Sequence, residues 1–423
     1  MARFIINGRR RVGGVFRPAG NKNAALPMLA ACLLTGEKLV LHNVPAIQDV
    51  RTMLAILEDL GVDVNRRGRT VALCAASLRK RRPNRALCAQ MRASILLAGP
   101  LAARHGKAEI FPPGGDVIGR RRLDSHFLGL KALGIAISGG DRFTFRGGSL
   151  RGARILLDEA SVTATENIIM AAALAEGPTS LFNAACEPHI QDLCLLLMKM
   201  GARISGLGTN LLKIEGVAAL RGAEHSIGQD HIEIGSFLAA AAVTGGELAV
   251  PGVDENNVLP IISPLRVLGA DLRLEKGTLR LVSGKKMRLR VKKGVVPKIE
   301  DGPWPNFPSD LMSIAIVLGT QTAGTALFFE KMFESRMYFV DRLIDMGAKI
   351  VQCDPHRVVV IGPARLHAIP LSSPDIRAGM GLLIAALCAQ GESVVHNAEI
   401  IDRGYERIEE RLRALGADIV REK

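Results

Sequence analysis

One phrase is written six times along this chain: the end of an apolar-periodic helix, a glycine, and a short alternating strand. The copies are LEDLGVDV ending at Val64, LKALGIAI at Ile137, LMKMGARI at Ile204, LRVLGADL at Leu272, LIDMGAKI at Ile350 and LRALGADI at Ile419. Their glycines, Gly61, Gly134, Gly201, Gly269, Gly347 and Gly416, recur about every 70 residues, and such a period marks one supersecondary unit used repeatedly. Each glycine is placed to take the left-handed conformation just past a helix end. The alternating apolar residues after it predict a strand.

Upstream, each copy carries a second helix rich in small apolar residues: NAALPMLAACLL, MRASILLAGPLAA, ATENIIMAAALA, IEIGSFLAAAAV, SDLMSIAIVLG and AGMGLLIAALCA. A helix apolar all round is buried. Several are followed by a turn and a strand, as in EKLVLHNV, TSLFNAA, GELAVPGV and ESVVHNA. The unit therefore reads strand, helix, strand, helix, strand. A chain of 423 residues is too long for one ordinary core. The simplest architecture is α/β, with helices inside and sheets outside, three units to a domain, two similar domains and a cleft between them.

Polar residues fall at corresponding points of the repeat. At the starts of the buried helices stand Lys22 and Asn23, Arg92, Ser161 to Thr163, Asp230 and Glu233, Asp310, and Asp375 with Arg377. At the strand-to-second-helix connections stand Asp49, the Gly115 to Arg122 loop, Gln191 and Asp192, Asp254, Glu334 and Arg336, and Asp402 with Arg403. Helix N-termini suit phosphate and carboxylate. Capping explains single members equally well, and Asp310 in PSD and Asp375 in SPD have that look. Lys22, Arg92 and Arg377 oppose the helix dipole unless an anion joins them, which points these three toward function.

The stretch FPPGGDVIGRRR, Phe111 to Arg122, pairs stiff prolines with free glycines, one acid (Asp116) and the arginines Arg120, Arg121 and Arg122. A glycine-hinged loop of this composition can close over an anion and present a proton. By itself it also fits a surface turn with solvated charge.

The formal net charge of +14 favours anionic partners: phosphorylated metabolites, nucleic acid or a membrane surface. Only 4% of residues are aromatic, which weakens a single-strand nucleic-acid reading, because base stacking needs aromatic faces. The clusters Arg79-Lys80-Arg81-Arg82 and Lys285-Lys286 read as solvated loop charge. Seven scattered cysteines form no CxxC pair and no metal-ligand spacing, as in a reducing cytoplasm. The opening MARFIINGRRRVGG has no apolar core long enough for a signal peptide, and no apolar run reaches a membrane span.

The motifs GNKNAALPMLAA, MRASILLAGPLAAR, PPGGDVIG, FPSDL and IDRGYERIEERLRALGA occur in order across essentially the whole chain. In them the sequence resembles the UDP-N-acetylglucosamine 1-carboxyvinyltransferase family, enolpyruvyl transferases that open peptidoglycan precursor synthesis. The resemblance implies a fold of two inverted α/β barrels of three units each. It places a first domain at 22–229, carrying the 111–122 loop. The second domain takes 230–423 with residues 1–21, and the active site lies in the cleft. It implies transfer of the enolpyruvyl group of phosphoenolpyruvate to the sugar 3-hydroxyl of UDP-N-acetylglucosamine, releasing phosphate through a tetrahedral adduct. No cofactor, metal, nucleic acid or membrane is implied, and the chain is expected to be a cytoplasmic monomer or weak oligomer.

Carried over by motif, Lys22 and Asn23 meet phosphoenolpyruvate, and Arg92, Arg121, Arg403 and Arg377 bind its charges. Asp116 delivers a proton to the methylene carbon, and Asp310 serves the sugar hydroxyl as base or orienter. Arg121, Arg122, Leu123, Asp124, Ser125, Ser161, Val162 and Met332 line the nucleotide-sugar pocket. Three departures stand out. The family mostly has PGGC where this chain has PGGD, although some members share the aspartate. Arg122-Leu123 replaces the frequent Pro-Val of Arg-Pro-Val-Asp. Glu159 and Thr163 stand where Lys and Gly are frequent. The aspartate predicts insensitivity to fosfomycin, which alkylates the loop cysteine. Two other readings compete: a 3-phosphoshikimate enolpyruvyl transferase, which GNKNAALP and PGGDVIG argue against, and a catalytically silent anion- or nucleic-acid-binding relative supported by net charge alone.

Overall fold

The protein is described from a computed structural model covering all residues except Met1, Val117, Arg120, Arg121, Ser283, Gly284, Lys285, Lys292, Lys293, Val296 and Lys423. The six repeat glycines do what their positions require. Their φ angles are 102°, 95°, 106°, 93°, 99° and 100°, in a region closed to most side chains. Each follows a helix: Gln48–Leu60, Asp124–Ala132, Pro188–Lys199, Glu255–Val267, Val340–Asp345 or Ile408–Ala414. Each precedes a strand: Asp63–Arg67, Ala136–Ser138, Arg203–Ser205, Leu272–Glu275, Lys349–Gln352 or Asp418–Glu422.

A second repeated device lies in three of the copies. Asn43, Asn183 and Asn397 have φ of 55°, 55° and 57°, directly after the strands Lys38–His42, Pro178–Phe182 and Glu392–His396. Asparagine tolerates this left-handed turn better than most residues. All three also tie the turn down, with Asn43 Nδ2 donating to Ile227 O, Asn183 Nδ2 to Leu157 O and Asn397 Nδ2 to Ser372 Oγ.

The chain forms two compact units, each with its own core. One comprises Ala19–Asp116 and Arg121–Gly228. The other comprises Met1–Pro18, Val117–Arg120 and Gln229–Lys423. Among the described residues the first unit holds three sheets, with Lys38–His42, Phe143–Arg146 and Pro178–Phe182 among their inner strands. Its buried helices are Lys22–Ala31, Ala98–His105 with the preceding 3₁₀ turn Arg92–Leu97, and Val162–Ala172. The second unit also holds three sheets, and its buried helices are His231–Val243, Met312–Thr320 and Ile376–Cys388. Their apolar residues fill the core, as the uniform hydrophobicity of these segments requires.

Most sheets contain one parallel pair flanking a buried helix. Lys298–Glu300 lies parallel to Gly324–Phe329, and Pro370–Ser372 to Glu392–His396. At two places the partner comes from elsewhere in the chain. Gly14–Val15 pairs with Leu248–Pro251, and Ala223–Ser226 pairs with Lys38–His42. These exchanges produce the chain passages near Pro18 and Gly228. Strand Arg3–Asn7 is antiparallel to both Glu392–His396 and Asp418–Glu422. Among the described residues no helix is long and apolar enough to cross a membrane.

Candidate active site

In the first unit the helix start Asn21-Lys22-Asn23 is built around a cap. Asn21 Oδ1 accepts from Ala24 N at 3.0 Å, which frees Lys22 to project from the first helical residue. Lys22 is buried, with Nζ 2.8 Å from Asp49 Oδ2. The anion demanded by a lysine at a helix N-terminus is thus supplied in part from within the chain. Asn23 is half-buried beside it.

Arg92 opens the next buried helix, and its Nη2 donates to Arg122 O at 2.8 Å. Gly115, at φ 105°, packs so tightly that a Cβ there would lie 3.0 Å from Arg92 N. The glycine before Asp116 therefore permits close contact with the Arg92 backbone. Asp116 itself is half-buried. Arg121 lies outside the described residues.

The described nucleotide-sugar candidates other than Met332 lie in this unit. Arg122 is exposed and clasps Asp124, Nε to Oδ2 at 2.5 Å. This contact raises the guanidinium's proton affinity and lowers that of the carboxylate. Leu123 precedes the helix that Asp124 begins. Ser125 is buried and donates to Asp158 at 2.8 Å, with Glu159 Oε1 at 3.3 Å. Ser161 and Val162 start helix Val162–Ala172.

Thr163, one of the departures from the family pattern, holds a histidine. His126 Nε2 lies 3.0 Å from Thr163 Oγ1, and its Nδ1 lies 3.1 Å from Asn167 Nδ2. Asn167 Oδ1 accepts from Gly99 N, while Asn167 Nδ2 also donates to Ile95 O, so the amide orientation is fixed. His126 Nδ1 must then accept, and its Nε2–H donates to the threonine. Burial, with Arg92 adding repulsion, pushes His126 down to about 3, so the ring is neutral.

In the second unit Asp310 is not a cap. Its Oδ1 is 3.2 Å from Arg336 Nη2 and its Oδ2 is 2.8 Å from Arg377 Nη2. The following helix has no side-chain cap at its start. Asp375, by contrast, does cap, accepting from Arg377 N at 2.8 Å and Ala378 N at 3.0 Å. Asp230 likewise caps helix His231–Val243, and Glu233 pairs with Arg411. Arg377 is buried with its guanidinium 5.5 Å above the Tyr405 ring, whose hydroxyl lies 2.8 Å from Ser236 Oγ. Burial opposes the charge of Arg377, but Asp310, Tyr405 and Asp230 outweigh it and raise the guanidinium's proton affinity. Arg403 is half-buried in the turn after Ala398–Ile401, its N donating to Ile400 O. Met332 is exposed, and its N donates to Glu330 Oε1. Ser335 N donates to Ile118 O, and a Cβ on Gly119 would collide with Glu334 Oε2.

The second unit thus assembles Asp310, Arg377 and Arg336 directly. The first assembles Lys22 with Asp49, and Arg92 with Arg122 and the Gly115 turn. Arg336 stood in the sequence only as one polar residue at a connection. It is buried, and its Nη1 has no hydrogen-bond partner among the described residues. Glu330 and Asp301, behind it, carried no sequence signal. Among the described residues no cluster of three or more His, Cys, Asp or Glu is arranged to hold a metal ion.

Comparison with known proteins bears on what this arrangement serves. The sequence model of the EPSP synthase (3-phosphoshikimate 1-carboxyvinyltransferase) family matches residues 6–412. The chain is 51% identical over 421 residues to the UDP-N-acetylglucosamine 1-carboxyvinyltransferase of Treponema denticola, covering 99% of each. It is 51% identical to the Bradyrhizobium diazoefficiens protein of that name, covering 99% of this chain and 97% of the other. It is 49% identical to that of Borreliella burgdorferi, covering 100% of both. Among solved structures, the enolpyruvyl transferase NikO from Streptomyces tendae superposes with a TM-score of 0.87 at 21% identity, covering 99% of this chain and 98% of that one. EPSP synthase from Acinetobacter baumannii gives 0.76 at 19% identity, covering 100% of both, and these two likenesses concern the fold. The two-domain inverted α/β barrel that the resemblance implies, and with which the repeat count agrees, is therefore the fold of this chain, and the chain belongs to the EPSP synthase family and, within it, to the UDP-N-acetylglucosamine 1-carboxyvinyltransferases.

Proposed function

We propose that the chain transfers the enolpyruvyl group of phosphoenolpyruvate to the 3-hydroxyl of UDP-N-acetylglucosamine, releasing phosphate by addition and elimination. The observation that carries this is 51% identity along 99% of the chain to a transferase of that name. Such a reaction needs a proton at the methylene carbon, a partner for the sugar hydroxyl, and cations for phosphate and carboxylate.

In this reading Lys22, Asn23, Arg92, Arg121, Arg377 and Arg403 hold phosphoenolpyruvate. Guanidinium forks suit its phosphate and carboxylate because they pair bidentately. Arg336 belongs with them, since its buried Nη1 offers a donor with no acceptor among the described residues. Asp116 supplies the proton. Asp310 receives the sugar hydroxyl: two guanidiniums fix its oxygens in place. That geometry favours orienting the hydroxyl over a freely moving base. Arg122, Leu123, Asp124, Ser125, Ser161, Val162 and Met332 serve the nucleotide sugar. The chain works in the cytoplasm as a monomer or weak oligomer, without nucleic acid or membrane.

Incubating the protein with both substrates should release inorganic phosphate at a rate that depends on each. No release with UDP-N-acetylglucosamine, but release with shikimate 3-phosphate, would move the chain to the other branch of the family.

A further inference from the structure

Strands Lys298–Glu300 and Gly324–Phe329 run parallel with Glu300 opposite Phe329. Asp301 and Glu330, the next residue on each, therefore leave the sheet side by side. Asp301 is 1% exposed and Glu330 0%. Glu330 Oε1 accepts from Met332 N and Phe333 N at 3.1 Å each, and Ser309 Oγ stands 2.9 Å from both carboxyl oxygens. Glu330 Oε2 is 3.7 Å from Arg336 Nε. Asp301 Oδ1 accepts from Lys331 N at 2.6 Å, whereas its Oδ2 is buried and meets no nitrogen or hydroxyl donor among the described residues.

A buried acceptor without a donor is unfavourable, and so are two ionised carboxylates in contact. One proton on Glu330, shared with Asp301 Oδ2, removes both problems. Burial above all, then the hydrogen bond to Asp301, push Glu330 up to about 9 against the pull of Arg336. The pair then carries one negative charge, enough to balance Arg336 while its Nη2 stays on Asp310. Arg336 is further seated over the Phe333 ring, 5.0 Å from its centroid.

We propose that Asp301 and Glu330 form a singly protonated pair that positions Arg336, and through it Asp310, for enolpyruvyl transfer. The proposal rests on the role given to Asp310 above. Both carboxyl groups are positioning residues; neither is placed against substrate. The competing reading is a staple, with Glu330 only fastening the Met332–Phe333 turn to Ser309. Titratable and charged groups around the pair are Lys331 and Arg336 on its own segment, Asp310 beside Ser309, and His356, whose Nδ1 lies 2.7 Å from Glu330 O. Loss of the shared proton would set two negative charges against Arg336 and draw it from Asp310.

The test is phosphate release from pH 6 to about 10 by wild type, Glu330→Gln, Glu330→Ala and Asp310→Asn. Glutamine keeps the neutral shape and the donor toward Asp301. The variant should hold kcat within about threefold at neutral pH and lack the alkaline fall that wild type shows as pH passes about 9. Glu330→Ala should lower kcat about tenfold or more, with much smaller changes in both KM values. A staple would cost stability but leave the alkaline limb in place. Identical alkaline limbs in wild type and Glu330→Gln would overturn the proposal, as would wild-type kcat in Glu330→Ala. If Glu330→Ala does not fold, the Glu330→Gln profile decides. An active Asp310→Asn enzyme would remove the role of Asp310 and this proposal with it. An inactive one beside unaltered Glu330 variants would remove this proposal alone.

Discussion

Lys22 Nζ and Asp49 Oδ2 stand 2.8 Å apart with both side chains buried, joining the first residue of helix Lys22–Ala31 to the second of helix Gln48–Leu60. The aspartate sits where a helix dipole welcomes negative charge, and the lysine where it resists positive charge. On the proposed function, the pair steadies the ammonium that meets phosphoenolpyruvate. Removing one partner of a buried pair leaves an uncompensated charge, typically at a cost of about 3–5 kcal/mol. Asp49→Ala should lose stability on that scale in urea unfolding and raise KM for phosphoenolpyruvate. The Lys22→Ala/Asp49→Ala double variant should lose clearly less than the sum of the singles. Simple additivity would show that the two groups do not depend on each other.

Asp116 follows a glycine that lets the loop press against the Arg92 backbone. In the role of proton donor proposed for it, it cannot be replaced by an amide. Asp116→Asn should reduce phosphate release by about 10²-fold or more, the usual scale for general acid catalysis. A carboxylate is also a poor nucleophile toward epoxides beside a thiolate. The unaltered enzyme should turn over normally with fosfomycin present, and Asp116→Cys should take up one covalent equivalent by mass spectrometry. A fully active asparagine variant would make Asp116 part of the scaffold.

His126 gives the protein a dependence on acid. Its ring is held neutral, pushed down to about 3 by burial and Arg92, while in the unfolded chain it titrates near its ordinary 6.5. Between those values the unfolded state binds a proton that the native state refuses, so this residue makes stability rise with pH. The contribution is fully present above about 6.5 and declines on acidification, by about 2 kcal/mol between pH 6.5 and 5. His126→Gln should flatten that part of the curve in parallel urea titrations. An unchanged slope would mean that the ring gains its proton without unfolding.

The fold was legible because its signals are local. Six glycines at positive φ and six uniformly apolar helices are properties of short segments, and period alone assembled them into repeated units. The site was legible only where a residue contradicted its own surroundings. Lys22 and Arg377 stood out as cations at helix starts, and each has a carboxylate partner, the buried Asp49 and the half-buried Asp310. Asp310 resembled a cap because its neighbours in sequence suggested one. Its actual partners lie 26 and 67 residues away, at distances in sequence that no local pattern encodes. Asp301 and Glu330 meet only through the register of two parallel strands, and His126 only through Thr163 and Asn167 on another helix.

The exchanged strands carry a consequence for biosynthesis. The unit of Ala19–Asp116 and Arg121–Gly228 receives its last strand, Ala223–Ser226, before synthesis is much past halfway. The other unit cannot close its sheet until Asp418–Glu422 leaves the ribosome, because Arg3–Asn7 lies between that strand and Glu392–His396. The first strand made is among the last to be paired. Domains usually fold as units during translation. Nascent chains arrested beyond Gly228 should therefore protect the first unit from protease while the N-terminal strand remains cleavable. Protection of both together at that length would show that Arg3–Asn7 finds a temporary partner.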